Sequence, residues 1–361
     1  MAAAASTGLT LDTLTTTQSV QEYYGKTLQS SKDLKTTACC SAAAVSPRVR
    51  TILSAVPEEV LERFYGCGSP LPLGISGLQV LDLGSGSGRD CYVASALVGP
   101  SGSVTGVDFT EEQLAVARAH TSSWAHHLGY SNLRFIQGRM ERLDEAGVSD
   151  ASVDLVISNC VVNLSPDKRA VLAEVFRVLK HGGEFHFSDV YADRRLVQSA
   201  RHDPVLVGEC LGGALYEEDF LRLCREVGFA DPRVMTRAPV AITDEAVAKA
   251  VGGASFSSVT YRLFKLPPGR LETLCEDYGQ YAVYKGSVEG APHAYALDDH
   301  HVLQKGKPFL VCGNTAAMLS ETWLAPHFTV VGDRAVHYGL FPCGPSPAAA
   351  APGATGGGAC C

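Results

Sequence analysis

One stretch constrains the fold more than any other: Val80-Leu81-Asp82-Leu83-Gly84-Ser85-Gly86-Ser87-Gly88-Arg89. Its apolar start reads as a buried strand, and the residues from Arg89 onward read as a helix. Glycines at alternate positions between them permit a tight strand-to-helix turn and let the backbone pass close to a ligand. The form is G-x-G-x-G, without the pyrophosphate cradle of G-x-G-x-x-G, so an aminoacyl or ribose group suits it better than a dinucleotide.

The text that follows is regular. Spacing predicts strands at 79–83, 103–109, 133–137, 153–159 and 184–190, with helices at 89–97, 111–128 and 166–180. Such alternation argues for an α/β fold with a doubly wound sheet. A helix at 215–227, ended by Gly228, and a closing pair of strands at 233–242 and 256–265 bring the expected sheet to seven strands. Around this 76–266 domain, residues 1–17 read as disordered and 18–75 as a helical segment, with helices at 18–29 and from Pro57 to near Gly66. Residues 267–343 are turn-rich and read as a small C-terminal domain. A flexible Pro/Ala/Gly tail, 344–361, ends in Cys360-Cys361.

Composition narrows the ligand. A net charge of −8 without a Lys/Arg cluster argues against nucleic acid and anionic membranes. No apolar run approaches the ~20 residues that a membrane span needs. The start lacks a basic segment followed by an apolar one, so a cytoplasmic location is expected. The charge pattern leaves a small molecule as the expected ligand, and a monomer is expected because no long apolar amphipathic surface is left over. In that reducing setting, 12 cysteines point to soft-centre binding or redox chemistry more than to a disulfide framework.

Four of them fall near predicted sheet edges or flanking loops: Cys39, Cys67, Cys160 and Cys210. They form no close pairs of the zinc-finger kind, so they converge only through the fold. Soft thiolates select soft, thiophilic centres. The others have blander readings. Cys91 and Cys224 read as helix core, Cys275, Cys312 and Cys343 as packing, and His300-His301 as a solvated turn. Cys360-Cys361 reads as a dispensable flexible end or a metalloid-capturing pair.

Residues 79–190 resemble the class I S-adenosylmethionine (SAM)-dependent methyltransferases, with Gly84, Gly86, Gly88 and Asp108 at the cofactor positions. The segments 33–39, 65–68, 82–92, 158–164, 187–191 and 208–215 narrow the resemblance to the arsenite methyltransferase family. The resemblance implies a Rossmann-like fold. It also implies a SAM site of Tyr65, Gly66, Gly84, Ser85, Gly86, Gly88, Asp108, Met140, Glu141 and Asn159, in which Asp108 accepts ribose hydroxyls. Cys67, Cys160 and Cys210 match the ligands of trivalent arsenic, which bonds three sulfurs and keeps a nucleophilic lone pair. Cys39 matches a fourth, redox-active cysteine and is expected to pair with Cys67, with Cys40 as a substitute. Arsenite and methylarsenite are the implied substrates, with thioredoxin or glutathione as reductant. An organic-acceptor methyltransferase, an arsenical-sequestering protein and a nicotinamide-dependent dehydrogenase are the rival readings. The dehydrogenase reading lacks a Tyr-Lys or His relay.

Overall fold

The computed structural model describes residues 46–64, 66 and 70–342. The expected helix at 18–29, Cys39, Cys40, Tyr65, Cys67 and the cysteines of the tail lie outside them.

Helices α1 (Pro47–Leu53) and α2 (Glu58–Glu62) precede the sheet. The α2 helix stops at Arg63, short of the expected end near Gly66. The sheet then builds as β1 (Gln79–Leu83), α3 (Arg89–Val98), β2 (Ser103–Asp108), α4 (Glu111–Ala119), α5 (Thr121–Leu128), β3 (Leu133–Gln137), β4 (Val153–Asn159), α6 (Lys168–Val178) and β5 (Leu179–Ala192). The expected single helix over 111–128 is two, broken at His120. There the Thr121 and Ser123 hydroxyls donate to the Arg118 and His120 carbonyls, competing with the helical ladder. The α6 helix begins two residues after Pro166, because the Asp167 carboxylate accepts the Ala170 N–H and caps it.

Short helices α7 (Gln198–Arg201) and α8 (Pro204–Gly208) lead to β6 (Leu215–Tyr216), α9 (Glu217–Val227), β7 (Arg233–Val240), α10 (Glu245–Ala250) and β8 (Phe256–Phe264). The sheet order is β3-β2-β1-β4-β5-β8-β7. The first five strands are parallel, β8 runs antiparallel beside β5, and β7 pairs antiparallel with β8 at the edge. The two-residue β6 pairs with β5, adding an eighth strand where the start of a helix was expected. Parallel strands buried on both faces need apolar runs, and Leu81, Leu83, Val156, Phe185 and Phe187 supply them to one cluster. Val80, Val104, Leu155 and Ile157 face the other side, against Tyr92 and Trp124.

Residues 267–342 carry β9 (Glu276–Asp277), β10 (Tyr281–Tyr284), β11 (Ala294–Ala296), β12 (Val302–Gln304), β13 (Pro308–Leu310), α11 (Gly313–Ser320), β14 (Phe328–Val331) and β15 (Gly339–Leu340). They pack around Tyr284, Tyr295, Leu297 and Met318, an apolar cluster that includes Phe264 of β8. Polar contacts reinforce the join. Arg262 of β8 donates to both oxygens of Glu184 at 2.9 Å and to the Leu297 carbonyl at 2.7 Å. His301 is not a solvated turn residue: it is buried with its ring against Asp298, whose carboxylate also receives Arg233. Among the described residues, no helix is long and apolar enough to cross a membrane.

His186, on β5 opposite Arg262, is 4% exposed. Burial pushes its pKa down to about 4. Its folded pKa therefore lies below the unfolded value, so the associated stability is present above about pH 6.5 and is lost as pH falls toward 4. We expect a loss of at most about 3 kcal/mol over that window. Urea titrations across pH check this: the acid slope flattens in His186→Gln.

Candidate active site

The glycine loop joins β1 to α3 with left-handed backbone at Gly84 (φ +66°) and Gly86 (φ +51°). A Cβ on Gly84 would lie 2.3 Å from Val161, so space as well as conformation requires glycine there. A Cβ on Gly86 would meet nothing within 4 Å. That open side faces a cavity of about 690 Å³, lined by Gly84, Ser85, Gly86, Asp108, Asn159, Gly66 and Cys160 among others. The cavity lies at the carboxyl ends of the parallel strands, where open sheets bind ligands.

Asp108 ends β2. Its carboxylate accepts the Gly86 and Thr110 N–H groups, each at 2.8 Å. Burial raises its pKa, and these backbone donors oppose the rise. Asp82, on the same cavity wall, is raised well above the carboxylate range by burial and then by neighbouring Asp90. Asp90 in turn accepts the Asn159 amide at 2.8 Å and the Arg89 guanidinium at 2.6 Å. The Arg89 guanidinium stacks on the Phe64 ring, 3.2 Å from its centroid, so the segment after α2 is pinned over the loop. Ser85 Oγ is buried with no hydrogen-bond partner among the described residues, an acceptor and donor left for a ligand.

The two described cysteines of the expected quartet meet at this edge. Among the described residues, three non-glycine residues have positive φ: Ala151, Cys160 (+60°) and Cys210 (+61°). Left-handed backbone at such residues costs free energy and collects at functional sites. The Cys210 thiol donates to the Cys160 carbonyl at 3.4 Å, and both side chains are buried among Val190, Leu206, Leu211 and Phe256. Cys160 is held in a disulfide, so its thiolate becomes available on reduction.

The loop carrying Cys210 is seated by close backbone approach. A Cβ on Gly213 would lie 1.9 Å from the Asn163 carbonyl oxygen. Asn163 is fixed in turn by Asp189, which accepts its N–H at 2.9 Å. Burial pushes the Asp189 carboxyl up to about 7. Asp189 thus supports the chain beside the thiols and does not reach the cavity.

The expected cofactor residues divide into three groups. Gly66, Gly84, Ser85, Gly86, Asp108 and Asn159 line the main cavity. Gly88 shapes the turn instead, capping α3 at φ +93° against Phe135. Met140 and Glu141 line an adjoining cavity of about 330 Å³, which shares Phe109 and Leu164 with the first. Asp82, Asp90, Phe64 and Thr110 were not anticipated. Asp82 could have been found from its place two residues before Gly84, whereas Phe64 carries no local signal.

Asp108→Asn replaces one acceptor oxygen by an NH₂ that opposes the Gly86 N–H. We expect SAM affinity to fall roughly 10- to 100-fold, the equivalent of about 1.4–2.8 kcal/mol, as measured by calorimetric titration.

A sheet of this order with a glycine loop on β1 and an acid ending β2 defines a methyltransferase domain. A family model described as a methyltransferase domain matches residues 75–228. Relatives named arsenite methyltransferase cover most of the chain. That of Aquipseudomonas alcaligenes is 56% identical, over 90% of this chain and 93% of its own. The human one is 42% identical, over 87% and 84%. The crystal structure of an arsenic(III) S-adenosylmethionine methyltransferase from Chlamydomonas reinhardtii is 61% identical, with a TM-score of 0.80 over 82% of this chain and 100% of that one. The chain belongs to the arsenite methyltransferase family and is a SAM-dependent enzyme.

Proposed function

We propose that this enzyme methylates trivalent arsenic held by the thiolates of Cys67, Cys160 and Cys210, with arsenite and methylarsenite as substrates. The observation that carries the proposal is the meeting of Cys210 with Cys160, both in left-handed backbone, where Cys160 lines the glycine-loop cavity. SAM supplies, when bound, an electrophilic methyl group on a positively charged sulfonium. The buried Ser85 hydroxyl and the open face of Gly86 fit a polar ligand lying along the loop. Asp108 would hold ribose hydroxyls, while the carboxyl oxygens of Asp82 and Asp90 on the same wall offer acceptors to the cationic end.

Thiolates orient arsenic and exclude water, and proximity replaces general-base catalysis because the arsenic lone pair carries no proton. The apolar surroundings of Cys160 and Cys210 serve the same end. Methylation formally raises arsenic to the pentavalent state, so two electrons are needed before another round. Closure of a disulfide that includes Cys39 supplies them, and thioredoxin or glutathione restores the thiols. The working compartment would be the cytoplasm. Incubating the enzyme with methyl-labelled SAM, arsenite and a thiol reductant tests the proposal. Labelled methylarsenicals are expected, dependent on the reductant, and their absence despite SAM binding would reject arsenic as acceptor.

A further inference from the structure

A second pair of thiols lies far from this cavity in sequence and in fold. Cys312 is the N-cap of α11, and its sulfur accepts the Thr315 N–H at 3.5 Å. It also contacts the Thr315 hydroxyl at 3.4 Å. The Cys275 side chain hydrogen-bonds to the same sulfur. The juxtaposition is built rather than incidental. Asn314, in the first turn of α11, accepts the Glu272 N–H at 2.7 Å and donates to the Glu272 carbonyl at 2.8 Å. This clamp brings the segment that enters β9, and with it Cys275, onto the start of the helix. Next to the pair lies the buried guanidinium of Arg233, which donates to the Thr315 hydroxyl at 3.3 Å.

We propose that Cys312 and Cys275 form a second redox-active dithiol, in which a hydroperoxide oxidises Cys312 and Cys275 resolves it to a disulfide. Three features converge on a reactive sulfur at Cys312: the N-terminal end of an eight-residue helix, the buried Arg233 cation and the Cys275 donor. Its pKa is accordingly drawn below the usual thiol range, first by the Cys275 hydrogen bond. The contrast with Cys91 and Cys224 is direct, because burial pushes those two thiols up and leaves them inert.

In the first step the Cys312 thiolate attacks the peroxide O–O bond. An S–O bond forms, and the departing oxygen anion takes a proton from solvent. In the second, the Cys275 sulfur attacks the sulfenic acid. The S–S bond forms, the S–O bond breaks, and water leaves with the Cys275 proton. Both thiols are buried, so the small, neutral hydrogen peroxide is the fitting oxidant. The resulting bond would latch the entrance of β9 to α11. It uses none of Cys67, Cys160 and Cys210.

The full-length reduced protein is treated with a slight excess of hydrogen peroxide, alkylated, digested without reduction and mapped by mass spectrometry. A peptide linking Cys275 to Cys312 is expected in wild type. In Cys275→Ser, a dimedone adduct is expected on Cys312 instead, and in Cys312→Ser, Cys275 stays an alkylatable thiol. The wild-type measurement stands even if a variant folds poorly. Absence of the linked peptide from wild type while other cysteines oxidise overturns the proposal. So does equal oxidation of Cys275 in a folded Cys312→Ser.

Discussion

Replacing either Cys160 or Cys210 with Ser abolishes methylarsenic formation and leaves SAM binding within about twofold, the latter because the glycine loop, Ser85 and Asp108 that would hold the cofactor are untouched and Cys160 adds only a small part of the cavity wall. Serine has nearly the same shape and bears the same left-handed backbone burden at φ +60° and +61°, so the substitutions isolate the sulfur. A hydroxyl is a hard, protonated donor at neutral pH and a poor partner for a soft trivalent centre. With one of three thiolates gone, arsenic is neither fixed at the cavity rim nor shielded from water. The proximity and orientation advantage then lost corresponds to a rate loss on the order of 10³-fold or more. Steady-state assay by chromatographic arsenic speciation, alongside SAM titration, measures both quantities. The rival reading, methylation of an organic small molecule, expects activity to survive Cys160→Ser. The sequestering reading expects wild type to bind arsenic but to turn over no SAM.

The largest stability effect is expected from Glu184→Gln. Glu184 and Arg262 are 0% and 1% exposed at their side chains and form a two-pronged pair at 2.9 Å. Trp323 donates its indole N–H to the same carboxylate at 2.8 Å, and the Arg262 guanidinium reaches the Leu297 carbonyl. One buried pair thus ties β5 and β8 to the C-terminal residues. The amide keeps the volume but strands the Arg262 charge in a place that water does not reach. A buried cation left without its partner costs about 3–5 kcal/mol, which chemical denaturation would show as a lower midpoint. The double variant Glu184→Leu with Arg262→Met recovers most of the loss, because desolvating the pair offsets much of its attraction. SAM affinity stays unchanged in both, since neither residue lines the cofactor cavity.

The elements that sequence reasoning placed best are those whose signals are local. Strands β1, β3 and β4 begin and end where short apolar runs bounded by turn residues predict. The glycine loop is legible for the same reason: its conformation is written in the residues that adopt it. Contacts over long sequence distances are not. His301 reads as a surface turn because the partners that bury it, Asp298 with Arg233 of β7, come together only in the tertiary fold. The break at His120 depends on two hydroxyl-to-carbonyl bonds that helix periodicity does not encode. Within the site, Asp108 follows from the strand pattern, but Asp90 acquires its place through Asn159 and Arg89. Met140 and Glu141 lie just beyond the end of β3. They face the adjoining cavity because the Glu141 carboxylate is drawn to the Ser165 hydroxyl at 2.6 Å. The convergence of Cys160 and Cys210 could be argued only from a presumed fold, and their shared left-handed backbone has no sequence signature at all.

X-ray absorption at the arsenic edge, on the reduced full-length enzyme loaded with one equivalent of arsenite, tests the central claim most directly. Thiolate-held arsenic predicts a first shell of three sulfurs and no oxygen, and Cys160→Ser or Cys210→Ser replaces one sulfur by oxygen. An oxygen-containing shell in wild type, or a three-sulfur shell that survives both substitutions, would contradict the account.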